Sequence, residues 1–105
     1  KRVSQVFVEN AIRGKTLTLQ GGNEEKLDFS YVTDVAKGFV LATFSEKSSG
    51  ETFNITGGNA RSLLEYTEIL KKSFPELKME IKPRDDSRPK RGTLSIKRAK
   101  EILGY

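Results

Sequence analysis

Three arginines, Arg84, Arg88 and Arg91, fall within eight residues on a stretch broken by Pro83 and Pro89. A guanidinium presents a rigid fork of N–H donors that matches phosphate oxygens two at a time, and it stays charged at any relevant pH. Three such forks on one loop suit a single diphosphate, each charge-assisted hydrogen bond contributing about 1.5–3 kcal/mol. The bland alternative is a set of ordinary solvated arginines. Charge placement favours an anionic partner: residues 1–77 hold ten basic and ten acidic side chains, whereas residues 78–105 hold nine basic against four acidic, so the whole net charge of +5 sits there. Asp85, Asp86 and Pro89 interrupt the basic run, unlike a nonspecific nucleic-acid tail.

Much other chemistry is excluded. The chain has no cysteine and no histidine, which removes disulfides, thiolate or imidazole metal sites, and Cys-His or Ser-His catalysis. Asp85-Asp86 is a conceivable divalent-cation ligand pair, but adjacent carboxylates in a basic loop more often balance local charge, and no metal site is expected. Gly21-Gly22 and Gly57-Gly58 lack the Gly-x-Gly-x-x-Gly spacing that brings backbone amides onto a pyrophosphate. Asn54 lies between Phe53 and Ile55 in an apparent strand, where its amide points away from the core. Asparagine is disfavoured there, which implies a specific hydrogen bond, either to a ligand or to close the following turn.

The elements that must position these groups follow from periodicity. Val3, Phe7, Val8, Ala11 and Ile12 recur at helical spacing, with Gly14 placed at C′. Leu17 and Leu19 alternate with threonines in a short strand ended by Gly21-Gly22-Asn23. Asp28 to Val32 reads as a second strand, followed by a helix capped by Thr33 or Asp34 with the stripe Val35, Ala36, Phe39, Val40, Thr43 and Phe44. Thr52 to Ile55 reads as a third strand. Ser62 and Glu65 form a capping-box pattern for a helix reaching about Phe74, stopped by Pro75. Leu77, Met79 and Ile81 alternate in a fourth strand, residues 83–92 are loop, and a last helix after Ser95 carries Ile96, Ala99 and Leu103 with Gly104 at its end. Asp28 and Asp34 read as structural, the latter as a helix cap.

Three pieces in order, Asp28-Phe29-Ser30-Tyr31-Val32-Thr33-Asp34-Val35-Ala36, then Phe53-Asn54-Ile55-Thr56-Gly57-Gly58-Asn59, then the basic segment Arg84 to Arg91, resemble the C-terminal substrate-binding region of the extended short-chain dehydrogenase/reductases. That is the family of NAD-dependent nucleotide-sugar epimerases and dehydratases. The resemblance runs from about Val3 to Tyr105. It implies that Arg84 holds the place of the arginine on the nucleotide diphosphate and Arg88 that of a second phosphate contact. Asn54 matches the asparagine of Tyr-Asn-Ile-Gly-Gly beside the nucleotide, with Phe53 and Thr56 as departures. Asn10 matches a polar position near the sugar or base. Most relatives carry Arg-Asp-Phe where this chain has Leu27-Asp28-Phe29, and that arginine is a phosphate ligand in many of them. Lys26 points to the opposite face of the strand, so either the ligand set is smaller here, leaning on Arg84, Arg88 and Arg91, or the substrate sits differently. The family's catalytic Tyr-x-x-x-Lys pair has no counterpart, since Val35 follows Tyr31 and Leu70 follows Tyr66 at that spacing.

The expected fold is therefore α/β (mixed α+β), a small substrate-binding domain spanning 1–105 with short strands and about four helices, lacking the Rossmann half. The expected function is binding of a nucleotide-diphosphate sugar within an NAD-dependent epimerase or dehydratase. The implied substrate-binding residues are Arg84, Arg88, Arg91, Asn54 and Asn10, with no catalytic residue, no metal ligand and no cofactor site in this chain, NAD belonging to the full-length parent. The isolated chain is expected to be inactive, and to self-associate through the surface that would face the dinucleotide-binding domain. The alternative is a small basic nucleic-acid-binding module, disfavoured because the aromatics are mostly placed to be buried and Phe29 and Tyr31 lack basic interleaving. No apolar run approaches the ~18 residues that cross a bilayer, Lys1-Arg2 leads into no signal-peptide core, and a cytoplasmic location fits the absence of cysteine.

Overall fold

The computed structural model describes residues 2–105. The chain forms two compact units, Lys1–Lys26 with Arg61–Arg91, and Leu27–Ala60 with Gly92–Tyr105. The described residues contain four α-helices and four short strands, a mixed α/β architecture.

The first unit is built on a parallel strand pair. β1 (Leu17–Gln20) buries Leu17 and Leu19 completely and exposes Thr18 and Gln20, as alternation requires. It pairs in parallel with β4 (Met79–Lys82), Leu17 opposite Met79 and Leu19 opposite Ile81. Helix α1 (Val3–Ile12) buries Phe7 and Ala11, one turn apart, and Gly14, at φ 65°, takes the left-handed conformation that ends it. α3 (Leu63–Lys71) begins at a complete capping box: Ser62 Oγ accepts from the Glu65 amide at 3.1 Å, and Glu65 Oε2 accepts from the Ser62 amide at 2.6 Å. Such caps contribute about 1 kcal/mol. The same hydroxyl donates to Asn23 Oδ1 at 3.0 Å, so the buried serine is satisfied as donor and acceptor. The tilted Phe7–Tyr66 ring pair, 6.1 Å between centroids, links α1 to α3.

The second unit carries α2 (Val32–Phe44), a 3-10 turn over Glu46–Ser48, and α4 (Lys97–Leu103). α4 buries Ala99 and Leu103 and ends at Gly104, φ 69°. In α2 only Gly38 is buried, and a Cβ there would lie 2.5 Å from Ile55 Cγ2. The helix approaches Ile55 closely because Gly38 has no side chain. Its large apolar residues face outward: Val32, Phe39, Val40 and Phe44 are exposed, Phe44 to 82%. β2 (Lys26–Asp28) and β3 (Ala60–Ser62) pair as a second two-stranded sheet.

Four sequence expectations are corrected. The second strand lies over Lys26–Asp28, not Asp28 to Val32, because the Asp28 carboxylate accepts from Ser30 Oγ and the Gly57 amide, turning the chain out of the ladder. α2 starts earlier, with Tyr31 at its N-cap and no side-chain cap. Thr33 and Asp34 lie inside its first turn, where Asp34 complements the helix dipole without capping. Thr52 to Ile55 forms no strand, whereas Ala60–Ser62 does; strand formation depends on a ladder partner that propensity does not reveal. α3 ends at Lys71, and the expected extension to Phe74 is a turn in which the Phe74 amide donates to the Leu70 carbonyl at 2.9 Å.

Candidate functional site

The arginine loop leaves β4 in the first unit. Lys82 still belongs to the ladder, its carbonyl accepting from the Gly21 amide at 2.9 Å. Pro83 then ends the strand's donor row. Arg84 turns inward and its side chain is 6% exposed. It passes Gly21, whose φ of 82° places the position of a Cβ only 3.0 Å from Glu25 Cγ and 3.2 Å from Arg84 Cβ. Arg84 Nε sits 2.6 Å from Glu25 Oε1, whose side chain is 16% exposed. Neither atom makes an aligned hydrogen bond, so the contact is an ion pair with the N–H directed off the oxygen. Arg84 Nη1 lies 3.2 Å from Asp86 Oδ1, and Nη2 donates to the Arg88 carbonyl.

Residues 85–88 form a self-contained turn. Asp85 Oδ1 accepts from the Ser87 amide at 3.0 Å and from its hydroxyl at 2.6 Å, and the Arg88 amide donates to the Asp85 carbonyl at 3.1 Å. The Ser87 hydroxyl above all, with the Ser87 amide and Arg88, holds the Asp85 carboxyl below its ordinary range. Arg88 Nε reaches Asp85 Oδ2 at 3.3 Å, yet the Arg88 side chain is 65% exposed. Arg91 is exposed too. Arg84 and Arg88 are thus brought together, but unequally: the first is committed to protein partners, the second is open to solvent. Asn10 is half-buried on α1 in the same unit. Among the described residues no group of His, Cys, Asp or Glu has the arrangement of a metal site.

Asn54 belongs to the second unit. Its Nδ2 donates to the Ser95 carbonyl at 3.0 Å, so the side chain does make a specific hydrogen bond. The turn that follows is not closed by Asn54: Gly58 donates to Thr56 Oγ1 at 3.1 Å, and the Gly57 amide to Ser30 Oγ at 2.9 Å and Asp28 Oδ1 at 3.2 Å. Thr93 Oγ1 donates to Asp28 Oδ2. Burial raises the Asp28 pKa, but the hydrogen bonds from Thr93, Thr56, Gly57 and Ser30 together outweigh it and leave the carboxyl lowered. Asp28 is structural, as read from the sequence, although Leu27 beside it supplies no charge. Glu25 gives no clear sequence signal because its partner is 59 positions away; a carboxylate three residues after a glycine pair is a weak signal by itself.

These glycines are closely packed. The space beside Gly21 is taken by Glu25 and Arg84, beside Gly22 by Ile81, beside Gly57 by the Phe29 carbonyl and Asp28, and beside Gly58 by Ile96. A pyrophosphate cradle needs that space open to backbone amides. Among the described residues no helix is long and apolar enough to cross a membrane.

Comparison with known proteins places the chain among relatives. It is 32% identical to UDP-glucuronic acid decarboxylase 6 of Arabidopsis thaliana over 107 residues, covering 99% of this chain and 30% of that protein. UDP-glucuronic acid decarboxylase 4 of the same organism is 29% identical over 105 residues, covering 99% of this chain and 23% of that one. The UDP-glucuronic acid 4-epimerase of Bacillus cereus, solved with UDP-glucuronic acid and NAD, superposes with a TM-score of 0.84 at 26% identity, over 100% of this chain and 34% of its own. The UDP-glucose 4-epimerase of Thermotoga maritima, solved with UDP-glucose, gives 0.80 at 29%, over 99% and 33%. The chain thus spans between 23% and 34% of the length of these relatives. None of these findings supports a nucleic-acid module. The sequence model of the NAD dependent epimerase/dehydratase family matches residues 1–56, more than half of the chain, and the chain belongs to that family.

Proposed function

We propose that this chain, residues 1–105, is the substrate-gripping region of an NAD-dependent nucleotide-sugar epimerase, dehydratase or decarboxylase, holding a nucleotide-diphosphate sugar through the loop after β4. The observation that carries this reading is the ordered turn at 85–88, which displays Arg88 65% exposed beside a buried Arg84. Arg91 extends the cationic surface, and Asn10 and Asn54 are the proposed polar contacts. The relatives named for UDP-glucuronic acid, and the epimerase structures holding UDP-sugars, support a UDP-sugar as the ligand class. NAD supplies hydride transfer in such enzymes, and its binding residues are proposed to lie in the rest of the parent protein, because the glycine turns here offer no cradle. This chain's own contribution is positioning, which accounts for much of the rate in chemistry of this kind.

With only part of a pocket wall, affinity for UDP is expected on the order of millimolar. The exposed apolar face of α2 is proposed to mediate self-association of this chain. Calorimetric titration with UDP and with NAD tests the reading. Binding of UDP with no NAD binding below millimolar supports it. Sub-millimolar NAD affinity contradicts it and makes this a dinucleotide-binding region instead.

A further inference from the structure

We infer that Glu25 and Arg84 form a positioning pair that fixes the backbone at Arg88, so that Arg88, and not Arg84, meets the phosphates of the ligand; this rests on the substrate-gripping reading above. Three nitrogens of the Arg84 guanidinium are engaged, Nε by Glu25, Nη1 by Asp86 and Nη2 by the Arg88 carbonyl. With its side chain 6% exposed, it has little face left for a ligand. Glu25 is held in turn by its backbone, whose carbonyl accepts from the Leu63 amide at 3.1 Å. Its side chain fills the space opened by Gly21. The rigid first turn of α3 is therefore connected through Glu25 and Arg84 to the Arg88 carbonyl.

Arg88 has the opposite character. Its guanidinium has one exposed ion pair, and that carboxylate, on Asp85, is already supplied by the Ser87 amide and hydroxyl. An arriving phosphate can take the Arg88 fork without uncovering an unpartnered charge. Taking Arg84 instead would strip Glu25 of its cation in a nearly buried site, which is costly.

The test uses the 105-residue chain and UDP as probe. In the wild-type chain, arginine side-chain Nε–H signals are followed by NMR during titration. The Arg88 signal should move and the Arg84 signal should stay; an Arg84 signal that moves as far as that of Arg88 overturns the inference. Glu25→Gln should weaken UDP binding about tenfold, the worth of a charge-assisted hydrogen bond that a displaced Arg88 no longer makes to the phosphate. Arg88→Ala should do the same, and the double variant should bind no more weakly than Arg88→Ala alone. Additive losses, or no loss in Glu25→Gln, overturn it, because a pair acting through Arg88 has nothing to lose once Arg88 is gone. Circular dichroism verifies that each variant is folded; should Glu25→Gln unfold, Arg84→Lys replaces it in the cycle, since one ammonium cannot reach both Glu25 and the Arg88 carbonyl. If UDP moves no signal in the wild-type chain, the substrate-gripping reading fails, and this inference with it. That outcome differs from an additive cycle, in which binding persists and only the positioning role is lost.

Discussion

Removing Glu25 should destabilise the chain far more than removing an exposed acid of similar appearance. In Glu25→Ala the buried Arg84 guanidinium loses the carboxylate that faces its Nε. It keeps only Asp86, whose side chain is 95% exposed, as a carboxylate partner. Breaking a fully buried pair from one side costs about 3–5 kcal/mol. The residual exposure of Arg84 and Glu25, 6% and 16%, lets some water in and lowers the expectation to about 2–3 kcal/mol. A domain of this size has about 5–15 kcal/mol in all, so the loss is a substantial fraction. With a urea dependence of about 1.5 kcal/mol per molar, the midpoint should fall by roughly 1.3–2 M. The control is Glu51→Ala, which removes a 2.7 Å bridge to Arg98 with both partners largely solvated (57% and 37%) and should cost less than about 1 kcal/mol. A Glu25→Met/Arg84→Met double variant should recover most of the loss, since neither charge then remains buried. Urea unfolding followed by circular dichroism measures all three. A Glu25→Ala loss no larger than that of Glu51→Ala, or a double variant no better than the single, would refute the reasoning.

Three further outcomes are expected. Asp28 has a lowered pKa in the folded chain, so its contribution is fully present above the ordinary carboxyl value of 3.8 and is lost as pH falls through the folded value; the stability gap between wild type and Asp28→Asn in urea should be constant from pH 7 to about 5 and narrow below about 4. Gly38→Ala gains about 1 kcal/mol of helix propensity but places a methyl 2.5 Å from Ile55 Cγ2, and the net should be a loss of roughly 1–2 kcal/mol that disappears when Gly38→Ala is made in an Ile55→Ala background, which lacks Cγ2, in the same assay. Light scattering should show self-association at high concentration, reduced in Phe44→Ser; a strict monomer that the substitution leaves unchanged would contradict a role for the α2 face.

The elements legible in the sequence are those whose signals are local. Phe7 and Ala11 one turn apart, Leu17 and Leu19 alternating, and Ser62 followed three residues on by Glu65 each declare an element from neighbours within a few positions, and each element formed. The errors lie where a distant partner decides. Thr52 to Ile55 has strand composition, yet the Asn54 side chain bonds Ser95, 41 positions away. Asp28 to Val32 looked continuous, but the Asp28 carboxylate is drawn to Gly57 and Thr93. The apolar stripe of α2 was correctly read as a stripe, and its exposure followed only from the resemblance, because periodicity marks an apolar face without saying what covers it. At the arginine loop the residue types were plain and their division of labour was not. Glu25, in a different part of the chain, separates the buried Arg84 from the displayed Arg88.

The central claim is that the loop after β4 grips a diphosphate, and amide NMR of the uniformly labelled chain titrated with UDP tests it most directly. Shifts should be concentrated at Arg84 to Gly92 and at Asn54, saturating on the order of millimolar, with uridine alone causing almost none and Lys47→Ala leaving the pattern intact. Shifts that map instead to Lys71 and Lys72, or uridine binding as well as UDP, would contradict it and return the arginine loop to ordinary surface.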